Sequence, residues 1–466
     1  MDFTPGPSAA PHRFILCGYV LDAPEWNVLR GFPAGAIAVE NGKILTVGTE
    51  ADLRTQLPHW PATAWHRAPS AQRWLILPGL IDVHAHLPQY PVVSRVETEL
   101  LPWLKRHIFP TEQAFTAHRP HLREELDAFF AELAAHGTTT AMLYGTVWAD
   151  STHLAFAAAE RSGLRILLGK VMMDIDSYGH GSSWPPARTR QVSLAETADL
   201  ISTWHGRDHG RLEYVVSPRF AVTCSHELMA SAAALAITHG CAIQTHLSEN
   251  LAEIDYVRTL FPAAASYTDV YRRAGLLGPR SVFGHCVHLA PEELDLLAAS
   301  QSTVAHCPTS NLFLNSGLCP LDALRRHGLR IGPGSDVAGG PELNLWQVMR
   351  SAIETQKARR FQDPTVTELT PAQALYLATT GGAEVTGQAA VTGTLTPGFE
   401  ADLTLFDLNA VLPLQGRFTT PDPDPAALAA IMIYRGGPHA LRAAWVRGRQ
   451  VSGHQTFPPT PSHPPT

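Results

Sequence analysis

The chain has 466 residues, 45% of them hydrophobic, and a net charge of -7 with its lysines and arginines scattered. That length exceeds one small core and suits a domain of roughly 250 to 300 residues with a unit appended, and the scattered charge leaves no basic footprint for nucleic acid. No apolar run approaches the ~20 residues that cross a bilayer, the chain opens with Pro5, Pro7 and Pro11 in place of a basic and then apolar signal region, and no Asn-x-Ser/Thr sequon occurs, so a cytoplasmic protein with no membrane or nucleic-acid partner is expected.

In chain order, Phe14 to Leu21, Ala36 to Val39 and Ile44 to Val47 read as short strands, with Asn41-Gly42 a strong hairpin turn between the last two. Eight further strand-like runs follow: Trp74 to Val83, Thr138 to Tyr144, Arg165 to Met173, Leu212 to Ser217, Cys241 to His246, Ser281 to His285, Ser302 to His306 and Leu329 to Gly334. Helix-like segments alternate with them, such as Glu112 to His136 ended by Gly137, and eight such units predict a closed (β/α)8 barrel. Ser177 to Thr189, with Gly179, Gly181, Pro185 and Pro186, reads as a loop over the barrel mouth and a candidate lid. Gly393 to Phe406 and Ala444 to Val451 are again strand and turn, and the tail from Pro458 reads as disordered. Cysteines at 17, 224, 241, 286, 307 and 319 lack Cys-x-x-Cys spacing and read as reduced thiols.

The chemistry concentrates at the ends of these runs. His84 and His86 close the first, and alternate residues of a strand face the same way, so two neutral imidazoles there can share one divalent cation. His246, His285 and Asp336 close or directly follow three later runs, and ligands at strand ends point to a barrel mouth. His84, His86, His246 and Asp336 form a zinc set that leaves a position for water. The same donors accept iron or cobalt. Glu249, three residues after His246, is a candidate proton shuttle for a deamination; the other reading is an acid at a helix N-terminus.

Pro78 to His86, Thr245-His246-Leu247-Ser248-Glu249-Asn250, Ala305 to Asn311 and Gly334 to Gly340 together resemble the metal-dependent amidohydrolase superfamily over most of the chain. The resemblance implies that residues 1–72 and 388–453 form two parts of one composite β-sandwich beside a barrel of residues 73–387, with 454–466 a disordered tail. It places His285 outside the ligand set, hydrogen-bonded to the water on the metal, with direct ligation the alternative. Binuclear relatives carry a carboxylated lysine at the end of strand four; here that strand ends Ser217-Pro218-Arg219-Phe220, and Lys170 lies on strand three, so one metal is expected. His306 is kept as a pocket or outer-shell residue.

Leu87-Pro88-Gln89-Tyr90, Gly137 to Thr140, Ser217 to Ser225 and Gly334 to Gly340 are similar, in this order, to the guanine deaminase family. Carried over, Gln89 and Arg219 would bond O6 and the neighbouring edge of a purine and Phe220 would pack on the base, with His86, His246, Glu249 and Asp336 against the substrate. An arginine donor at O6 discriminates against adenine, whose 6-amino group is itself a donor. A salt bridge for Arg219, a solvated loop position for Gln89 and a core position for Phe220 are the plainer readings. The implied activity is hydrolysis of guanine to xanthine and ammonia by an activated water on one zinc, with Glu249, Asp336 and His285 catalytic, in a homodimer. The rivals are an aminohydrolase of another purine, a pterin or an s-triazine, and a non-catalytic scaffold.

Overall fold

A computed structural model of the chain describes residues 12–70, 72–179, 183–413 and 424–453; the expected tail, 454–466, lies outside the described residues. Two sheets organise it. The first is an open mixed sheet whose strands run Arg449–Ser452, Leu441–Val446, Leu403–Asp407, Trp74–Pro78, Arg13–Glu25, Val28–Glu40 and Lys43–Thr49 from edge to edge, with Trp65–Arg67 also paired to Arg13–Glu25. Alternation sets its faces. Phe14 and Leu16 join Ile37, Val39, Leu403 and Trp445 in one core, while Ile15 and Cys17 join Ala36, Ala38 and Leu53 in another. The expected Asn41-Gly42 turn closes the hairpin, both residues taking positive φ (51° and 80°).

The second sheet is the barrel. Its strands, labelled here, are β1 (Leu80–His86), β2 (Thr138–Tyr144), β3 (Arg165–Gly169), β4 (Leu212–Pro218), β5 (Ala242–Leu247), β6 (Ser281–His285), β7 (Thr303–His306) and β8 (Arg330–Pro333). They pair in parallel and in sequence from β1 to β8. Asp336 N–H donates to the His84 carbonyl at 2.8 Å and His86 N–H to the Val337 carbonyl at 2.9 Å, which brings the segment after β8 against β1 and nearly closes the ring. One apolar residue or more from most strands, among them Ile81, Val83, Met142, Leu167, Val215, Ala242, Val282 and Ala305, fills the interior, as expected for a packed barrel.

The run expected as the first barrel strand, Trp74 to Val83, is two strands. Trp74–Pro78 pairs with Leu403–Asp407 and Arg13–Glu25 in the flanking sheet, and only Leu80–His86 belongs to the barrel. Gly79 is the seam: a Cβ there would sit 1.9 Å from Thr139 Oγ1, so only glycine lets the chain pass so close to β2. Helix formation also differs from expectation between Glu112 and His136. Glu112 sits in the short helix Phe109–Gln113, and the long outer helix starts at Leu122 and runs to Ala135, before Gly137 at φ 86°. Of the expected loop Ser177 to Thr189, residues from Pro186 onward open the helix Pro186–Trp204, where proline suits the first turn, and 180–182 lie outside the described residues.

Candidate active site

A slip in register builds the mouth. Between Asp82 and Ala85, three residues of β1 span two of β2, and such a bulge changes which alternate positions face inward. Ile81 and Val83 therefore fill the barrel while His84 and His86 turn to its opening, where both are buried. Asp82, fully buried, accepts from His84 N–H at 3.1 Å, from Ser335 N–H at 3.1 Å and from Ser335 Oγ at 2.5 Å, tying the bulge to the turn that carries Asp336.

His84, His86, His246 and Asp336 converge. His84 Nε2 and His86 Nε2 lie 3.2 and 3.3 Å from Asp336 Oδ1, and His86 Nε2 lies 3.1 Å from His246 Nε2. Donors about 2.0–2.1 Å from a tetrahedral metal sit ~3.3–3.4 Å from one another, so the spacing fits one such ion. Protonation fits too. Burial pushes His84 down to about 4, lowers His86 and carries His246 well below its usual range, leaving neutral rings. Burial would raise Asp336, yet bonds to His84 and His86 and the charge of His285 hold it well below the usual carboxylate range. His246 Nδ1 donates to the Arg219 carbonyl at 2.8 Å, which turns the Nε2 lone pair towards the cluster. The four residues offer three neutral nitrogens and an anionic oxygen, a donor set for a single zinc or a similar divalent ion.

Two acids and an imidazole flank the cluster. His285 Nε2 lies 3.5 Å from Glu249 Oε2 and 3.7 Å from Asp336 Oδ2, and its Nδ1 donates to Asn311 Oδ1 at 2.9 Å. His285 thus stands between the two carboxylates, outside the four converging ligands. Burial pushes the Glu249 carboxyl up to about 7, and Ser316 Oγ donates to its Oε1 at 3.1 Å. The helix Leu251–Leu260 takes Asn250 as its cap and Glu253 as its first-turn acid, so Glu249 is not spent on the helix N-terminus. Backbone strain gathers here as well: Ser248, His285, Cys286 and Asp336 all have φ between 49° and 69°, a conformation non-glycine residues hold when their surroundings over-determine it.

The cluster opens into a cavity whose lining includes His86, His246, His285, Asp336, Glu249, Gln89, Arg219 and Phe220. Every residue marked in the sequence for catalysis or substrate contact lines it; His84 lies beneath as a ligand. His306 is buried at the end of β7 and does not line the cavity. Lys170 is buried away from it, 3.2 Å from Glu196 and 2.9 Å from Ser193 Oγ. Sequence reasoning missed the apolar wall, Leu100, Trp103, Leu104 and Leu314, and missed Glu112. Glu112 Oε2 accepts from Arg219 Nη1 at 2.5 Å and its Oε1 from Gln89 Nε2 at 2.8 Å, so Arg219 does form a buried salt bridge at the rim.

The sequence pattern of the amidohydrolase family matches residues 75–451. The guanine deaminase of Escherichia coli (strain K12) is 34% identical over 94% of this chain and 96% of its own length. This chain belongs to the guanine deaminase family. A probable guanine deaminase of Deinococcus radiodurans is 35% identical over 91% of this chain and 94% of its own. The crystal structure of a guanine deaminase from C. acetobutylicum with guanine bound in its active site superposes with a TM-score of 0.85, at 27% identity, over 94% of this chain and all of that one. Membership makes the chain a metal-dependent hydrolase, and the convergent His84, His86, His246 and Asp336 are the place for its metal.

Proposed function

We propose that this protein hydrolyses guanine to xanthine and ammonia in purine catabolism. The observation that carries the reading is one cavity lined by metal ligands, by the Glu249 carboxyl and by the side chains of Arg219 and Gln89, which carry N–H donors. A divalent ion held by the four ligands supplies Lewis acidity, which brings the ionisation of water down to near neutral pH.

The protein's own groups do the rest. Arg219 and Gln89 donate to the carbonyl edge of the base, and Phe220 packs against its face, which presents C2 to the cluster. Glu249, buried and poised near neutrality, gives its proton to a ring nitrogen as a C–O bond forms at C2, then carries the proton from water to the departing amine as the C–N bond breaks. Asp336 engages His84 and His86 through Oδ1, which leaves Oδ2, on the His285 side, to accept a proton from water. His285, fixed through Asn311, orients that water and keeps the two acids apart.

The test is ammonia release from guanine, adenine, 8-oxoguanine, a pterin and melamine by the zinc-loaded protein, with the ultraviolet change from guanine to xanthine. Selective guanine turnover is expected; selective turnover of another substrate overturns the pocket assignment. The family reading extends to a cytoplasmic homodimer. Among the described residues no helix is long and apolar enough to cross a membrane, in keeping with that location, and light-scattering mass together with cell fractionation tests both parts.

A further inference from the structure

Glu112 is fully buried, and the reaction as derived has no step for it. Its carboxylate nevertheless grips both residues assigned to the carbonyl edge. Oε1 accepts from Gln89 Nε2 at 2.8 Å, and Oε2 accepts from Arg219 Nη1 at 2.5 Å. At the other end of the same amide, Gln89 Oε1 accepts from Ala338 N–H at 3.2 Å. A carboxylate cannot donate and a backbone N–H cannot accept, so this pair of partners admits only one orientation of the Gln89 amide. Its carbonyl is held on the backbone, and its NH2 group keeps one hydrogen beyond the bond to Glu112.

Arg219 is held from two sides by one short helix. Glu112 pairs with it, and the Phe109 ring lies beneath its guanidinium, 5.2 Å from centroid to Cζ. A planar guanidinium bonded at one nitrogen and stacked on a ring has little freedom to turn. Arg219 is itself buried, and a buried cation without a counter-charge is costly.

We infer that Glu112 is a positioning residue: it fixes Gln89 and Arg219 so that their free N–H groups, and no acceptor, face the cavity, and it thereby selects a purine with an oxo group at that edge over one with an amino group. This rests on the guanine reading above. An oxo group accepts from both side chains, whereas a 6-amino group would point donors at the donors of two buried side chains.

The test compares kcat/KM for guanine with that for 2,6-diaminopurine, which keeps the 2-amino leaving group and replaces the oxo group with an amine. Taking the ratio within each preparation cancels any inactive fraction. Wild type is expected to prefer guanine by about 10³-fold or more. Glu112→Gln is nearly isosteric but can donate as well as accept; it is expected to lower the ratio by at least ~10-fold with metal content unchanged. Gln89→Leu should collapse the ratio by itself, and adding Glu112→Gln to it should change the ratio less than it does in wild type, because the two act together. A Glu112→Gln variant that loses both activities in parallel, ratio intact, makes Glu112 a packing residue and overturns the inference while the guanine reading stands. If that variant does not fold, an unchanged ratio in Gln89→Leu overturns it equally. Wild type inactive on guanine but active on another substrate defeats the underlying reading instead.

Discussion

Arg165, the first residue of β3, donates through Nε to Asp402 Oδ2 at 3.0 Å, across the boundary between the barrel and the flanking sheet. Both residues are buried, Glu400 is a second acceptor for Arg165, and Arg447 N–H donates to Asp402 Oδ1 at 2.8 Å. The sheet that contains both ends of the described chain is therefore pinned to the N-terminal end of the barrel strands, opposite the metal ligands, by a charged network whose central Arg165–Asp402 pair is shielded from water. Removing Asp402 leaves Arg165 with Glu400 alone and takes away the acceptor of the Arg447 N–H. Asp402→Ala is expected to cost about 1.5–3 kcal/mol, read as a lower denaturation midpoint in urea, while kcat/KM for guanine in the folded fraction stays within about two-fold. A loss below ~1 kcal/mol would mean that the network adds nothing to the junction.

Glu249→Gln separates catalysis from stability. Burial raises the folded-state carboxyl to about 7, above the ~4.3 of an unfolded chain. A raised carboxyl favours the protonated form in the fold, so below the unfolded value it has no adverse effect; the wild type loses stability as pH rises through this interval, and the loss is complete above the folded value. In metal-stripped protein, glutamine should therefore leave stability nearly unchanged at pH 4, and raise it by ~1–3 kcal/mol at pH 8. Turnover should fall by about 10²–10⁴-fold with metal retained in the loaded protein. Melts at the two pH values that shift equally would contradict the burial account.

The convergence of four ligands predicts a single tight metal. His246→Ala removes one nitrogen and leaves the cavity otherwise intact; metal content measured by plasma mass spectrometry should drop from close to one ion per chain to a small fraction, with turnover lost. Chelation of the wild type should lower its melting temperature, because an ion that binds only the folded state stabilises it by mass action. Identical melting curves with and without the ion would argue against a site this preformed.

How much of this was legible in the sequence depends on the range of the interaction. Thr138 to Tyr144 and Ser281 to His285 were recognisable as strands to the residue, because each carries β-branched and aromatic residues soon after a turn signal, Gly137 for the one and Gly278-Pro279 for the other. The ligands were legible because each lies near the end of such a run or just beyond it. The division at Gly79 was passed over although Pro78-Gly79, a turn dipeptide, interrupts the run from Trp74 to Val83; the partners on either side, Leu403–Asp407 and β2, show that its halves belong to different sheets. Glu112 was invisible for a deeper reason. Phe-Pro-Thr-Glu reads locally as the opening of a helix with an acid in its first turn, and the contact that gives it a role lies with Arg219, 107 residues further on. The bulge in β1 likewise exists only relative to β2.

Gly284, the residue before His285 on β6, shows how closely the ligand set is packed from behind. A Cβ at that position would stand 2.7 Å from His84 Cε1 and 3.1 Å from its Nδ1. The His84 ring is buried, within 5.0 Å of the Tyr144 ring and 4.9 Å of the His246 ring, centre to centre, so it has nowhere to retreat except towards the metal position. Ligand geometry must be held within roughly half an ångström to keep a site productive. Gly284→Ala is therefore expected to weaken metal binding by about 10–100-fold, while the flanking β6 pairing survives and the metal-free melting temperature falls only modestly. Metal affinity by competition with a chromophoric chelator is the deciding measurement. If the alanine variant binds metal as the wild type does, the ring can be displaced after all, and the rigidity of the mouth must come from the loops above the strands.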